Sequence, residues 1–254
     1  MRTASTQPRV VVGIDGSDAA LHALDWAVVQ AARSEATLHL VCCYAVPFYG
    51  EPGMFGAYAI ESQVEAIKTE HEGFLEVAMA EARASGTGVA VDGVVTLASA
   101  AVAITDEAGP GDVVVVGSTG RTGIVSDAIG SVATAVCHRA HVPVIVVPAT
   151  SPKKGSAMKK IVVGIDGSPS SEEALRWAYD EARRAGAEVV VVHAWSYPYG
   201  GHAPRTGGDP REQMKLDALR QLEATIDSLG GRREGGPSVH ARLVEDSAAK
   251  SARR

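Results

Sequence analysis

Residues 10–33 read VVVGIDGSDAALHALDWAVVQAAR, and residues 161–184 repeat the pattern as IVVGIDGSPSSEEALRWAYDEARR. Each segment begins with an apolar run, continues through Asp-Gly-Ser and then shows the apolar spacing of an amphipathic helix. The repeat aligns identical residues with each other, namely Asp15 with Asp166, Ser17 with Ser168 and Trp26 with Trp177. The chain therefore contains two copies of one structural unit.

Short apolar runs alternate with helical patterns in the first copy. The runs are continuous in Val, Ile and Leu, which is typical of parallel strands that are buried on both faces. They predict a doubly wound α/β fold, in which a parallel five-stranded sheet carries helices on both faces. The predicted strands are 10–14, 38–45, 89–95, 112–116 and 142–147, and the predicted helices are 19–34, 62–85, 98–108 and 131–140.

A polar stretch that contains proline and glycine separates the two copies. We predict a first domain at 1–149, a linker at 150–158 and a second domain at 159–254. The second copy has counterparts of the first three strands, the third being 239–244, and then ends in a polar segment. The fourth and fifth strands and the glycine loop described next have no second counterpart in this sequence. The second domain is therefore predicted to be an incomplete copy.

The segment 111–140, GDVVVVGSTGRTGIVSDAIGSVATAVCHRA, has the strongest chemical signal. An apolar strand ends at Gly117-Ser118-Thr119-Gly120, and Gly130-Ser131 follows nine residues later at the start of a predicted helix. Glycines let backbone N–H groups approach phosphate oxygens, and a helix N-terminus favours anions. The spacing therefore predicts a phosphate-binding site in the first copy, at the carboxyl ends of the strands.

Several of these residues also have purely structural interpretations. Gly117 and Gly120 can simply form a turn. Asp15 can be the cap of the helix that follows it, and Ser131 can cap its own helix or donate to a phosphate. Arg121 can supply positive charge to the site or remain a solvated side chain.

The chain resembles a tandem universal stress protein. ATP-binding members of that family have G-x2-G-x9-G-[S/T], which Gly117, Gly120, Gly130 and Ser131 match, and an aspartate at the end of the first strand, which Asp15 matches. The resemblance implies a sheet order of 3-2-1-4-5 and a bound ATP, with or without Mg²⁺. It also implies a homodimer through the fifth strand, Val142–Val147. The implied binding residues are Gly13, Ile14, Asp15, Cys43, Gly117, Ser118, Thr119, Gly120, Arg121, Gly130, Ser131 and Val132.

The resemblance further implies a role for each group. Ile14 and Cys43 would line the adenine pocket, and Asp15 would contact ribose or a metal ion. The segment Gly117–Arg121 would hold the phosphates together with Ser131 and Val132.

Composition argues against several other classes of protein. The net charge of −6 gives no electrostatic basis for binding nucleic acid. No apolar run is long enough for a membrane span, and the N-terminus lacks the features of a signal peptide, so we expect a cytoplasmic protein with reduced thiols. The sequence has no GxxxxGK[ST], GxGxxG after a strand, HExxH or GxSxG motif.

Three functions remain open at this stage. The first is a regulatory or sensor protein of a stress response that binds ATP and acts on an unknown protein partner. The second is a weak ATPase or autophosphorylating enzyme, although a loop without lysine predicts little turnover. The third is a dimerisation scaffold that needs no ligand.

Overall fold

The computed structural model describes residues 7–46, 54–120, 129–148, 159–197, 209–228 and 235–245, with only the backbone for 54–61. Arg121 and the whole of the predicted linker, 150–158, lie outside these ranges. The chain divides into two compact units, Met1–Ser156 and Ala157–Arg254, and each is described by itself.

Unit 1 contains five parallel strands. They are β1 (Arg9–Ile14), β2 (Thr37–Tyr44), β3 (Val91–Leu97), β4 (Val113–Gly117) and β5 (Val144–Val147), in the order β3-β2-β1-β4-β5. This confirms the predicted sheet and its order. Val10 and Val12 face one side of the sheet and Val11 faces the other, and all three are at most 2% exposed. Such two-sided burial explains why the strands read as continuous apolar runs.

Four helices cover the two faces of this sheet. They are α1 (Asp18–Ser34), α2 (Met54–Ala84), α3 (Ala100–Glu107) and α4 (Ser131–Arg139). Helices α1 and α2 pack on the face of Val10 and Val12, whereas α3 and α4 pack on the face of Val11. The prediction that α2 starts at residue 62 is wrong, because the helix already begins at Met54.

Unit 2 repeats the first part of this arrangement. Its elements are β6 (Lys160–Ile165), α5 (Pro169–Ala185), β7 (Glu188–Trp195), α6 (Pro210–Ser228) and β8 (Val239–Glu245), and the parallel sheet has the order β6-β7-β8. Helices α5 and α6 pack on one face. On the other face Val162 is 48% exposed, whereas the equivalent Val11 is fully buried. Within its described residues, unit 2 thus lacks counterparts of α3, β4, α4 and β5.

A cluster of ionisable side chains, of which Arg9, His39 and Asp112 are buried, joins the N-terminal ends of the strands in unit 1. The backbone N–H of Arg9 donates to Oδ1 of Asp112 at 2.8 Å, and its guanidinium Nη2 donates to Oδ2 at 3.2 Å. Beside it, Nδ1 of His39 lies 2.5 Å from Asp92, and Nε2 lies 3.3 Å from Oε2 of Glu107. These contacts connect β1, β2 and β3 to the end of α3 and the start of β4.

Candidate functional site

A cleft of about 260 Å³ opens at the carboxyl ends of β1 and β4. The sheet order reverses at this point, because β1 pairs with β2 on one side and with β4 on the other. Open α/β sheets bind ligands at such switch points. The cleft has a polar end formed by the loops after β1 and β4, and an apolar end formed by β2 and α3.

The strand β4 ends in a position that only glycine can occupy without a shift of the backbone. A Cβ atom added at Gly117 would lie 2.8 Å from the carbonyl carbon and oxygen of Ala19, at the start of α1. A Cβ at Gly130 would lie 3.1 Å from the carbonyl oxygen of Ser118, which accepts a hydrogen bond from Gly130 N–H at 2.7 Å. The two ends of the loop between β4 and α4 are therefore held close together at the cleft.

Helix α4 begins at an N-cap residue that has no side chain to cap it. Gly130 is the N-cap residue, so the interpretation of Ser131 as a cap is wrong: it is the first residue of the helix. The first backbone bond of this helix runs from Thr134 N–H to Gly130 C=O at 2.9 Å. The N–H groups of Ser131, Val132 and Ala133 precede that bond, and all three residues line the cleft. Uncapped N–H groups and the helix dipole make this end suitable for an anion.

Helix α1 starts differently, because its N-cap is Ser17. The Ser17 hydroxyl accepts from Ala20 N–H at 3.2 Å, so the alternative in which Asp15 caps this helix is wrong. Asp15 accepts with Oδ1 from the N–H of Ser17 at 3.0 Å and from its hydroxyl at 2.6 Å. Its other oxygen, Oδ2, points to the loop after β4, where a Cβ at Gly120 would lie 3.1 Å away.

The apolar end of the cleft contains one ionisable group. The Cys43 thiol lies at the end of β2, and burial raises its pKa to about 11. The thiol is therefore neutral near pH 7, and Cys43 contributes an uncharged surface to the cleft. Its neighbours along the wall are also apolar, namely Val41, Ala100, Ile104 and Val116. A flat apolar group such as a purine fits this end better than a charged one.

Ten of the twelve residues predicted for the site lie on the wall of the cleft: Gly13, Ile14, Asp15, Cys43, Gly117, Thr119, Gly120, Gly130, Ser131 and Val132. Ser118 is not among the lining residues, and its backbone groups bond within the fold, the N–H to Val147 C=O at 2.8 Å. Arg121 lies outside the described residues.

Sequence reasoning missed six lining residues: Ala20, Val41, Ala100, Ile104, Val116 and Ala133. Two of them follow a simple periodicity. Val41 is two residues before Cys43 on the same strand, so both point to the same face. Ile104 is four residues after Ala100 and therefore shares its side of α3.

Asp15 is the charged residue among the described lining residues of the cleft. No group of three or more His, Cys, Asp or Glu residues with metal-site geometry exists in the described parts of the chain. Mg²⁺ commonly uses one or two carboxylates together with substrate phosphates, so the single carboxylate of Asp15 beside the glycine loop has chemistry that suits this ion.

The sheet order, the switch-point cleft and the repeated first half define a tandem protein of the doubly wound α/β class. The model of the universal stress protein family matches residues 8–148 and 158–253. The chain therefore belongs to the universal stress protein family.

Two relatives and one solved structure illustrate the similarity. A universal stress protein of Mycobacterium tuberculosis is 29% identical over 94% of this chain and 78% of its own length. One from Mycolicibacterium smegmatis is 30% identical over 94% of this chain and 79% of its own length. The crystal structure of a universal stress protein from Archaeoglobus fulgidus is 15% identical, covers 96% of this chain and 78% of that one, and has a TM-score of 0.63. That similarity supports the fold.

None of the described helices combines the length and the apolarity that crossing a bilayer requires.

Proposed function

We propose that unit 1 binds ATP or a close adenine nucleotide and that the protein acts as a nucleotide-dependent regulator or sensor in a stress response. The observation that carries this proposal is the N-terminus of α4. It opens on the cleft, its N-cap residue Gly130 has no side chain, and a Cβ at Gly117 or at Gly130 would meet backbone atoms. Backbone N–H groups at glycine loops and helix N-termini bind phosphate oxygens in other α/β proteins.

The cleft suggests how the nucleotide would lie. The adenine would occupy the apolar end, between Ile14 and Cys43, with Ile104 against it. Oδ2 of Asp15 would accept a hydrogen bond from a ribose hydroxyl. The phosphates would follow the loop from Gly117 to Gly120 and end at the first turn of α4.

The carboxylate of Asp15 also gives a reason for a divalent cation. A polyphosphate next to a carboxylate is repelled unless positive charge lies between them. The described lining residues include no lysine or arginine. We therefore propose that Mg²⁺ accompanies ATP and that Arg121 adds charge at the phosphates.

Isothermal titration with ATP, with and without Mg²⁺, tests binding directly. Gly120→Glu places a carboxylate beside Oδ2 of Asp15, and we expect it to reduce affinity at least about 10-fold, since like charges repel strongly in a partly desolvated site. Gly73→Glu is the matched control, because a Cβ there meets nothing within 4 Å. It adds the same charge in α2, away from the cleft, and should bind ATP as the unmodified chain does.

Native mass spectrometry of the purified protein would show which adenine nucleotide is retained and in which oligomer. Absence of heat, of a thermal shift and of co-purified nucleotide would refute the binding proposal and favour a ligand-independent scaffold. Steady phosphate release that Gly120→Glu abolishes would instead assign ATP hydrolysis to the site.

We further propose a homodimer through the segment Val142–Val147. Its strand β5 is an edge of the described sheet in unit 1, pairing with β4 on one side. Exposed edges with apolar residues favour pairing with another chain. Sedimentation at micromolar concentration should show a dimer, and a monomer under those conditions would contradict this proposal.

A regulator must present a different surface when the nucleotide is bound, so that a protein partner can distinguish the two states. Capture of partners with and without ATP tests this, and recovery of the same proteins in equal amounts from both would argue against it. We place the protein in the cytoplasm, where ATP is supplied and where Cys42, Cys43 and Cys137, which form no disulfide in the structure, stay reduced. Cell fractionation tests that location.

A further inference from the structure

The Asp-Gly-Ser turn after the first strand has nearly the same geometry in both units. Oδ1 of Asp15 accepts from Ser17, and Oδ1 of Asp166 accepts from the N–H of Ser168 at 2.9 Å. Each serine hydroxyl also caps the next helix, with Ser168 accepting from Ser171 N–H at 3.2 Å. Hydrogen bonds from the Ser168 side chain and backbone lower the pKa of Asp166 to about 2. The turn and the cap therefore belong to the fold and need no ligand.

The two aspartates differ in what their second oxygen faces. Oδ2 of Asp15 is directed at Gly120, and Asp15 is part of the cleft wall. Asp166 follows β6, which pairs only with β7 in the described sheet of unit 2. The described part of unit 2 has no counterpart of the β4 loop or of α4. The described residues thus contain the same turn twice, once beside the glycine loop and α4 and once without counterparts of them.

We propose that Ser17 is a positioning residue for the nucleotide. Its hydroxyl holds Oδ1 of Asp15 and so keeps Oδ2 turned toward the ribose hydroxyls of the ligand. The end torsion of an aspartate side chain is otherwise broad, so an unheld carboxylate must be ordered when the ligand binds. Ser17 is not among the residues that line the cleft, and it acts through Asp15. This inference rests on the proposed function.

Ser17→Gly separates positioning from capping. Glycine is tolerated at an N-cap position nearly as well as serine, so the stability of α1 should change little. The backbone N–H of residue 17 remains, whereas the hydroxyl is lost both as the donor to Asp15 and as the acceptor from Ala20 N–H. We expect the Kd for ATP to rise about 3- to 10-fold, which corresponds to the cost of ordering one side chain. Ser17→Thr restores a hydroxyl and should bind within about 2-fold of the unmodified chain by the same reasoning.

The repeat supplies the matched control. Ser168→Gly makes the same change in the same turn of unit 2 and should leave the Kd for ATP unchanged. A second readout uses 2′,3′-dideoxy-ATP, which lacks the hydroxyls that Asp15 is proposed to bind. The unmodified chain and Ser17→Gly should bind this analogue equally, because the analogue has no ribose hydroxyl to donate to the Asp15 carboxylate.

The outcomes separate this inference from the proposed function. If Asp15→Ala weakens ATP binding but Ser17→Gly does not, the positioning role is wrong and the nucleotide site stands. Equal losses for Ser17→Gly with ATP and with the dideoxy analogue would also overturn it. If the unmodified chain binds no adenine nucleotide in titration or thermal shift, the proposed function fails and this inference fails with it.

Discussion

The thiol of Cys43 lies on the wall of the cleft, where burial raises its pKa to about 11. The thiolate is the reactive form, and a pKa of about 11 leaves only about 0.1% of this thiol as thiolate at pH 8, which slows its reactions. We therefore expect Cys43 to be alkylated by iodoacetamide far more slowly than the exposed Cys137, with a rate that rises steeply as the pH increases toward 11. Peptide mapping by mass spectrometry measures both rates in one sample.

ATP gives a control for the same experiment. A nucleotide that occupies the cleft should slow the alkylation of Cys43 further and leave that of Cys137 unchanged. Comparable rates for the two thiols at pH 8 would contradict the burial that the structure assigns to Cys43.

At the scale of residues, the spacing of Gly117, Gly120 and Gly130 was sufficient to locate the loop beside the cleft. The spacing could not predict which of two neighbouring residues, Gly130 or Ser131, is the N-cap of the helix. The start of the helix at Ser131 was predicted, but whether Ser131 also caps it was left open, and the structure makes Gly130 the N-cap residue, with its N–H bonded across the loop to Ser118 C=O. Sequence spacing contains no information on such a contact.

Helix α4 is the element on which the proposed site depends, and a mutation at its N-cap position can add a capping side chain. Gly130→Asp provides a carboxylate that can accept from a first-turn N–H and that places negative charge where a phosphate would bind. We expect ATP affinity to fall at least about 10-fold, while the free energy of unfolding of unit 1 changes by no more than about 1 kcal/mol. Titration calorimetry and urea denaturation measure the two quantities.

Gly130→Ala is the control for this variant. It adds the same Cβ beside the Ser118 carbonyl, which lies 3.1 Å from that position, but it adds no acceptor. It should retain most of the affinity. If both variants bind ATP equally poorly, crowding by the Cβ explains the loss and the role of the free N–H groups is not supported.

The elements of unit 1 were predictable from sequence where one signal dominates. Buried parallel strands such as β1 and β4 consist of apolar runs, and their observed ends differ from the predicted ends by at most one residue. The beginning of α2 was not predictable, because Gly53 and Gly56 lie in the segment where the helix starts and glycine disfavours helices. The structure extends the helix through Gly56 all the same, since tertiary context can override local propensity.

The buried pair of Arg9 and Asp112 holds β1 to the start of β4. Arg9→Met leaves the carboxylate buried at 5% exposure without its guanidinium partner. Removing one member of a buried ion pair costs about 3–5 kcal/mol, and we expect this loss in the free energy of unfolding of unit 1 by urea denaturation. Arg220→Met breaks an exposed pair with Asp217 in unit 2 and should cost at most about 1 kcal/mol. Similar losses for both variants would contradict the structural role of the buried pair.

At the scale of the whole molecule, the repeat produces two units that share a plan and differ in which elements their described residues contain. Each unit has hydrophobic clusters made only of its own residues, two on the faces of the first sheet and one in unit 2. Only unit 1 has the described cleft with the glycine loop and α4. Unit 2 keeps the Asp-Gly-Ser turn, which shows that this turn is part of the fold and does not by itself indicate a ligand.

Because the site lies in one unit, ATP should stabilise that unit selectively. A ligand at 100 times its Kd raises the free energy of unfolding of the protein that binds it by about 2.7 kcal/mol.

The three tryptophans allow the units to be followed separately, since Trp26 lies in unit 1 and Trp177 and Trp195 lie in unit 2. Trp26→Phe reports on unit 2 alone, and the double variant Trp177→Phe with Trp195→Phe reports on unit 1 alone. We expect saturating ATP to shift the urea midpoint of the Trp26 signal and to leave the other unchanged. Equal shifts in both signals would mean that the units unfold together, and no shift in the Trp26 signal would mean that the cleft holds no nucleotide.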